Sequence, residues 1–186
     1  VDGRLLRRSA ARPGDLLAVT GHLGNAAGGL KILKGEAHLP AEIASFFLDA
    51  HLRPRARVAE GQALVSLGVQ AAIDVSDGLL ADAGHLCQES GVAAVIQAAA
   101  LPIHPHLRQA FPQDYLQMAA SGGEDYELLF AAPEAIIERA GEALSLPVTV
   151  IGRVLSGPPG QVTFIDEDGS PIELAERGWE HFRVRR

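Results

Sequence analysis

An α/β (α+β) domain, with a mixed β-sheet and helices packed on it, is the fold class this sequence predicts, on three observations. Six apolar stretches have the length of strands: residues 16–20, 71–73, 92–96, 126–130, 148–154 and 161–165. Between them lie segments whose apolar residues recur at helical spacing, at 40–51, 58–65, from 79 to about 90, and from 133 to 144. Turn chemistry punctuates the alternation, as at Pro13-Gly14-Asp15 and Asp168-Gly169. Short strands interleaved with amphipathic helices are what a sheet covered by helices requires.

Composition sets the outer limits. A chain of 186 residues is one domain by default, long enough for a sizeable core. Hydrophobic residues make up 47% and charged residues 21%, ordinary for a soluble globular protein, but aromatics are only 5%, so Ala, Leu, Val and Ile must fill the interior. A formal net charge of -7 argues against nucleic acid or a membrane surface as partner, since both are polyanionic. Acidic proteins that handle phosphates do so mostly through metals. The single cysteine, Cys87, excludes an intrachain disulfide and lies on an apolar helix face as a small core residue. With no signal peptide and no apolar run of membrane-spanning length, a soluble, cytoplasmic chain is expected. The start at Val1, without an initiator Met or an opening element, points to a fragment.

In order along the chain, Arg4, Arg7, Arg8 and Arg12 form a basic opening that the Pro-Gly-Asp turn closes before the strand at 16–20. The glycines of 21–29 follow neither the G-x-G-x-x-G spacing nor a Gly-Lys-Ser/Thr ending, and are read as permitting close helix–sheet packing rather than a nucleotide loop. Residues 40–51 read as a helix with Ile43, Phe46, Phe47 and Ala50 inward. Arg53, Arg55 and Arg57 read as a solvated charged face, with phosphate contact as the alternative. The stretch 101–106, with two prolines, reads as a surface loop rather than a His104-x-His106 metal pair, which lacks a third ligand. Pro133 opens a helix with Ile136, Ile137, Ala140 and Leu144 inward, and 161–165 with the Asp168-Gly169 turn form a terminal hairpin.

Two stretches carry chemistry. In Ile73-Asp74-Val75-Ser76-Asp77-Gly78-Leu79-Leu80 a buried strand ends, turns and enters a helix whose C-cap glycine is Gly91. Asp74 and Asp77 cannot both cap one helix, and paired carboxylates suit a hard cation such as Mg²⁺, which leaves coordination positions open for phosphate. The alternative is that Asp77 or Ser76 is an ordinary N-cap and Asp74 a turn former. In Ser121-Gly122-Gly123-Glu124-Asp125-Tyr126-Glu127-Leu128 a glycine pair allows a sharp turn into a strand with Tyr126, Leu128 and Phe130 on one face. Its three acids at the mouth of a buried strand are costly unless they serve a site or meet arginines.

Five blocks in order resemble bacterial thiamine-monophosphate kinase. They are Arg8-Ser9-x-Ala11-Arg12-Pro13-Gly14-Asp15, Val19-Thr20-Gly21-x-x-Gly24, Ile73 to Leu79, Ser121 to Leu128, and Gly178-Trp179-x-His181-Phe182. The resemblance runs over essentially the whole chain. It implies a fold similar to the C-terminal domain of aminoimidazole ribonucleotide synthetase, with residues 1–15 as the tail of a missing N-terminal ATP- and metal-binding domain and 16–186 as the C-terminal domain. It also implies transfer of the ATP γ-phosphoryl group to thiamine monophosphate with Mg²⁺, in a full-length homodimer. By position, Asp74 and Asp77 resemble Mg²⁺ ligands, Arg8 and Ser76 ATP contacts, and Glu124 and Trp179 contacts to the thiamine phosphate. Trp179 would stack on the cationic thiazolium ring, or else anchor the C-terminus. The isolated chain is expected to have little kinase activity. A stand-alone module that binds nucleotide or thiamine phosphate without turnover is the alternative, as is another synthetase of the superfamily.

Overall fold

The computed structural model describes residues 5–174 and Gly178. Six strands form one sheet in the order β2-β4-β1-β5-β3-β6, built from β1 (Leu16–Thr20), β2 (Ala71–Asp74), β3 (Ala93–Gln97), β4 (Leu128–Ala132), β5 (Val148–Leu155) and β6 (Val162–Ile165). Every pairing is antiparallel except β3 with β6, so the sheet is mixed, as the sequence predicts. The helices are α1 (Asn25–Leu33), α2 (Ala41–Leu52), α3 (Val58–Leu67), α4 (Leu79–Ser90), α5 (Pro105–Ala110), α6 (Tyr115–Ser121) and α7 (Glu134–Ala143). None of the described helices is long and apolar enough to cross a membrane.

Both faces of the sheet are covered, and the period-two alternation divides the strand residues between two cores. Ala18, Ala72, Phe130 and Ala132 point to one face, where Leu64 of α3 and Ile137 and Ala140 of α7 meet them. Leu17, Val19, Ile73, Leu129 and Ile151 point to the other, onto Leu79, Leu86 and Cys87 of α4 and onto α6. The predominance of Ala and Leu in both cores follows from the scarcity of aromatics.

Several local expectations change. Gly28 and Gly29 serve helix–helix rather than helix–sheet packing: a Cβ on Gly28 would lie 2.8 Å from the Phe47 ring and one on Gly29 would overlap the Phe47 carbonyl oxygen, so α1 and α2 pack at backbone range. The segment at 101–106 is not all loop, because α5 starts at Pro105 and the His104 side chain caps it by accepting the His106 N–H. A proline at the first helical position is the signal that reading passed over. β4 begins at Leu128 rather than Tyr126. The terminal hairpin is reduced to a bridge between Ile165 and Pro171, and β6 takes its main partner from β3.

At the opposite edge, residues before β1 run beside β2. Arg7 forms a parallel bridge with Ala71, its N–H donating to the Gln70 carbonyl and its carbonyl accepting from Ala72.

Candidate functional site

The two chemistry-bearing stretches meet at the end of the sheet where β2 and β4 run side by side. Past the strand ends the pairing continues: the Val75 N–H donates to the Glu127 carbonyl, Tyr126 N–H to Val75, and Glu124 N–H to Ser76. The glycines let the backbones interlock. A Cβ at Gly123 would stand 2.5 Å from the Ser76 carbonyl oxygen, and one at Gly78 2.6 Å from that of Ser121. Gly78 also has φ 117°, a conformation side chains resist. Glu124 (φ 71°) and Tyr126 (φ 51°) are left-handed without being glycine. Such residues cost on the order of 1–2 kcal/mol each, so the surrounding structure must enforce them, and backbone strain of this kind gathers at functional sites.

The turn at 76–78 is held by a residue the sequence reading missed. Neither Asp77 nor Ser76 caps α4, whose N-cap is Gly78. Asp82, in the first turn of α4 and 2% exposed, reaches back instead. Its Oδ2 accepts the N–H groups of Ser76 (2.9 Å), Asp77 (3.0 Å) and Gly78 (3.1 Å). Burial raises the Asp82 carboxyl, and Asp77 adds to the rise, while the N–H groups and His85 act against it. His85 Nδ1 lies 3.6 Å from Asp82 Oδ1. Asp77, Asp82 and His85 together bring ligand-type atoms within 4.8 Å of one another.

The three acids of the 124–127 run divide their work. Glu127, 4% exposed, forms a two-point pair with Arg57 (2.6 and 2.9 Å) and accepts the Thr20 hydroxyl at 2.6 Å. Arg57 is therefore not part of a solvated face, and its own pKa is raised, chiefly by the hydrogen bond to Glu127. Asp125 accepts the N–H groups of Gly24 (2.6 Å) and Ala26 (3.2 Å), so it caps α1 from a hundred residues away. Burial nonetheless pushes its carboxyl up to about 7. Only Glu124 is exposed, and its Oε2 accepts the Tyr126 hydroxyl. The Tyr126 pKa is raised, first by Glu124 and further by burial and by the charges of Asp74 and Asp77.

Beside them opens a cleft of about 490 Å³ whose lining includes Ser76, Asp77, Gly123, Glu124 and Gly178 on one side and Ala27, Leu30, Lys34 and His51 on the other. Of the site residues expected from sequence, Ser76, Asp77 and Glu124 thus share one cleft. Asp74, the last residue of β2, is not among the residues that line it; it is half-exposed, with the exposed Arg8 guanidinium 3.9 Å away, a distance and exposure at which an ion pair adds little stability. Trp179 lies outside the described residues, but its neighbour Gly178 is seated against the turn: a Cβ there would be 2.8 Å from the Asp77 carbonyl oxygen. The His104 and His106 rings both stack with Phe46, and His22 abuts His104.

The sequence profile of the "AIR synthase related protein, C-terminal domain" matches residues 12–165. Among curated proteins, the thiamine-monophosphate kinase of Escherichia coli (strain K12) is 42% identical over 185 residues, covering 97% of this chain and 56% of that protein. Among solved structures, thiamine-monophosphate kinase from Stenotrophomonas maltophilia K279a superposes with TM-score 0.78 at 40% identity, over 91% of this chain and 55% of that one. The structure of AaThiL complexed with AMPPCP and TMP superposes with TM-score 0.80 at 34% identity, over 95% and 54%. The chain spans about half the length of the relatives it matches. It belongs to the family of the AIR synthase related protein, C-terminal domain.

Proposed function

We propose that this chain supplies the C-terminal half of a thiamine-monophosphate kinase active site, which transfers the γ-phosphoryl group of ATP to thiamine monophosphate. The observation that carries this reading is the cleft that Ser76 and Asp77 from one motif line together with Glu124 from the other. Its walls differ in character, as a cationic heterocycle bearing a phosphate would require. Ala27 and Leu30 offer apolar surface, Asp77 and Glu124 negative charge, and Lys34 a cation for phosphate. The relatives carrying that activity, one of them solved with AMPPCP and TMP, support the same reading.

The donor set fits Mg²⁺. Asp74 and Asp77 offer hard, part-exposed carboxylate oxygens, Asp77 on the wall of the cleft and Asp74 at the end of β2 three residues before it. We assign them as the residues that would hold it, with Ser76 and Arg8 toward ATP and Glu124 and Trp179 toward the substrate. Bound Mg²⁺ would neutralise charge on the phosphates during transfer. The attacking group is an anionic phosphate oxygen, so the chain need not provide a strong general base. Its own part is to orient the two phosphate-bearing molecules and to keep Glu124 fixed by the Tyr126 hydroxyl. The remaining ligands and a dimer interface would come from an N-terminal domain of which residues 1–15 are the tail, in a cytoplasmic enzyme.

The test is a phosphoryl-transfer assay with the chain alone and with the chain joined to the N-terminal half of the E. coli relative. Turnover in the joined protein, lost in Asp77→Asn and Asp74→Asn with melting temperature preserved, is the expected result. Normal turnover and Mg²⁺ dependence in both variants would leave the two aspartates as turn formers. A joined protein that melts cooperatively and binds ATP and thiamine monophosphate without turnover would favour the binding-module reading.

A further inference from the structure

We infer that Asp82 is a positioning residue that holds the turn from which the Asp77 carboxylate is presented to a cation, an inference that rests on the Mg²⁺ reading above. Three consecutive amides converge on one carboxylate oxygen, within 2.9–3.1 Å. Convergent N–H groups of this kind normally make a concavity for an external anion such as phosphate. Here the chain fills it with its own side chain, brought there by the first turn of α4 and 2% exposed. The phosphate of a bound ligand is thereby kept out of the turn. The turn is fixed with its amides facing the interior, while Ser76 and Asp77 line the cleft.

A simpler cap would not achieve this. A Ser or Asp at the N-cap satisfies one or two amides from outside the helix and leaves its own side chain spent. Because the anchor comes from four residues inside, neither Ser76 nor Asp77 serves as the N-cap of α4. His85, 3.6 Å from the second oxygen of Asp82, steadies the carboxylate from the solvent side. Groups that orient a metal ligand through hydrogen bonds commonly control affinity by about 10- to 100-fold.

The experiment uses the 186-residue chain and Mn²⁺ as a paramagnetic stand-in for Mg²⁺, followed by amide NMR line broadening. In the wild type, broadening centred on residues 74–78 is expected. Asp82→Asn should weaken Mn²⁺ binding by about 10- to 100-fold and speed hydrogen exchange at Ser76, Asp77 and Gly78. Ile137→Val, in the core on the other face of the sheet, should lower the melting temperature and leave Mn²⁺ affinity as in the wild type. If Asp82→Asn does not fold, Asp82→Glu keeps the charge but pushes the turn outward by one methylene and should weaken binding in the same direction. Wild-type affinity in whichever of the two Asp82 variants folds overturns the inference, as does an equal loss in Ile137→Val. A wild type showing no broadening at 74–78 removes the cation reading itself and this inference with it.

Discussion

Gly123 and the Ser76 carbonyl oxygen are so close that a Cβ on the glycine would sit 2.5 Å from that oxygen. The contact is backbone on backbone, with no flexible side chain to yield. Gly123→Ala should therefore separate the two turns and lose about 1–3 kcal/mol of stability, the range for overpacking a tight site. Urea unfolding measures it. A variant as stable as the wild type would show that the two turns move apart freely.

Gly141 is the opposite case. It lies in α7, exposed, and a Cβ there would meet nothing within 4 Å. Gly141→Ala should raise stability by up to about 1 kcal/mol, since alanine restricts the unfolded chain and favours the helix. The same unfolding series checks this, and a loss would mean that α7 is not helical at that position.

Two arginines on neighbouring stretches should behave very differently. Arg57 is 22% exposed in its pair with Glu127, whereas Arg53 is 81% exposed in its pair with Asp49. Glu127→Ala strands a half-buried guanidinium and should cost about 3–5 kcal/mol. Arg53→Ala removes a surface pair and should cost no more than about 0.5 kcal/mol. Comparable losses for both would contradict the buried-pair geometry.

Asp125 makes stability depend on pH. Burial holds its carboxyl at about 7 in the folded chain, far above its ordinary value of 3.8. Between those values the folded state keeps a proton that the unfolded chain has released. The unfolded state binds fewer protons, so this group's contribution falls as pH rises from about 4 to about 7 and is flat beyond. Asp125→Asn keeps an acceptor for only one of the Gly24 and Ala26 amides, so it should lower stability at every pH and abolish that slope. Denaturant unfolding from pH 5 to 8 tests the sign, and identical slopes in the two proteins would refute the assignment.

Much of this was open to reading in the sequence, and the losses have specific causes. The strand and helix stretches were legible because each carries its own period, as Leu17, Val19 and Leu79, Leu86 illustrate. The requirement that the acids of 124–127 meet arginines or serve a site was also legible, and Glu127 meets an arginine in Arg57. Which arginine was not, because Arg57 lies 70 residues from Glu127 and the pairing exists only once α3 packs on the sheet. Asp82 was missed for a different reason. Capping is sought at the residues just before a helix, and here the cap comes from inside it. Tyr126 followed the alternation of a strand, but its left-handed backbone breaks that pattern before β4 begins. Arg8 reaches Asp74 through a pairing with β2 that no local pattern foretells.

That pairing has a second consequence, for solubility. A six-stranded open sheet ends in two rows of unsatisfied amides and carbonyls, and such rows recruit strands from other molecules. The short stretch at Arg7 occupies part of the β2 row, and the Ile172 amide, donating to Phe164, occupies part of the row beyond β6. Each border is too briefly paired to act as a full strand and too occupied to template one. A neighbouring copy approaching the β2 edge must first displace the segment that carries Arg8, so strand addition at that edge and loss of the Arg8–Asp74 contact are coupled to one event.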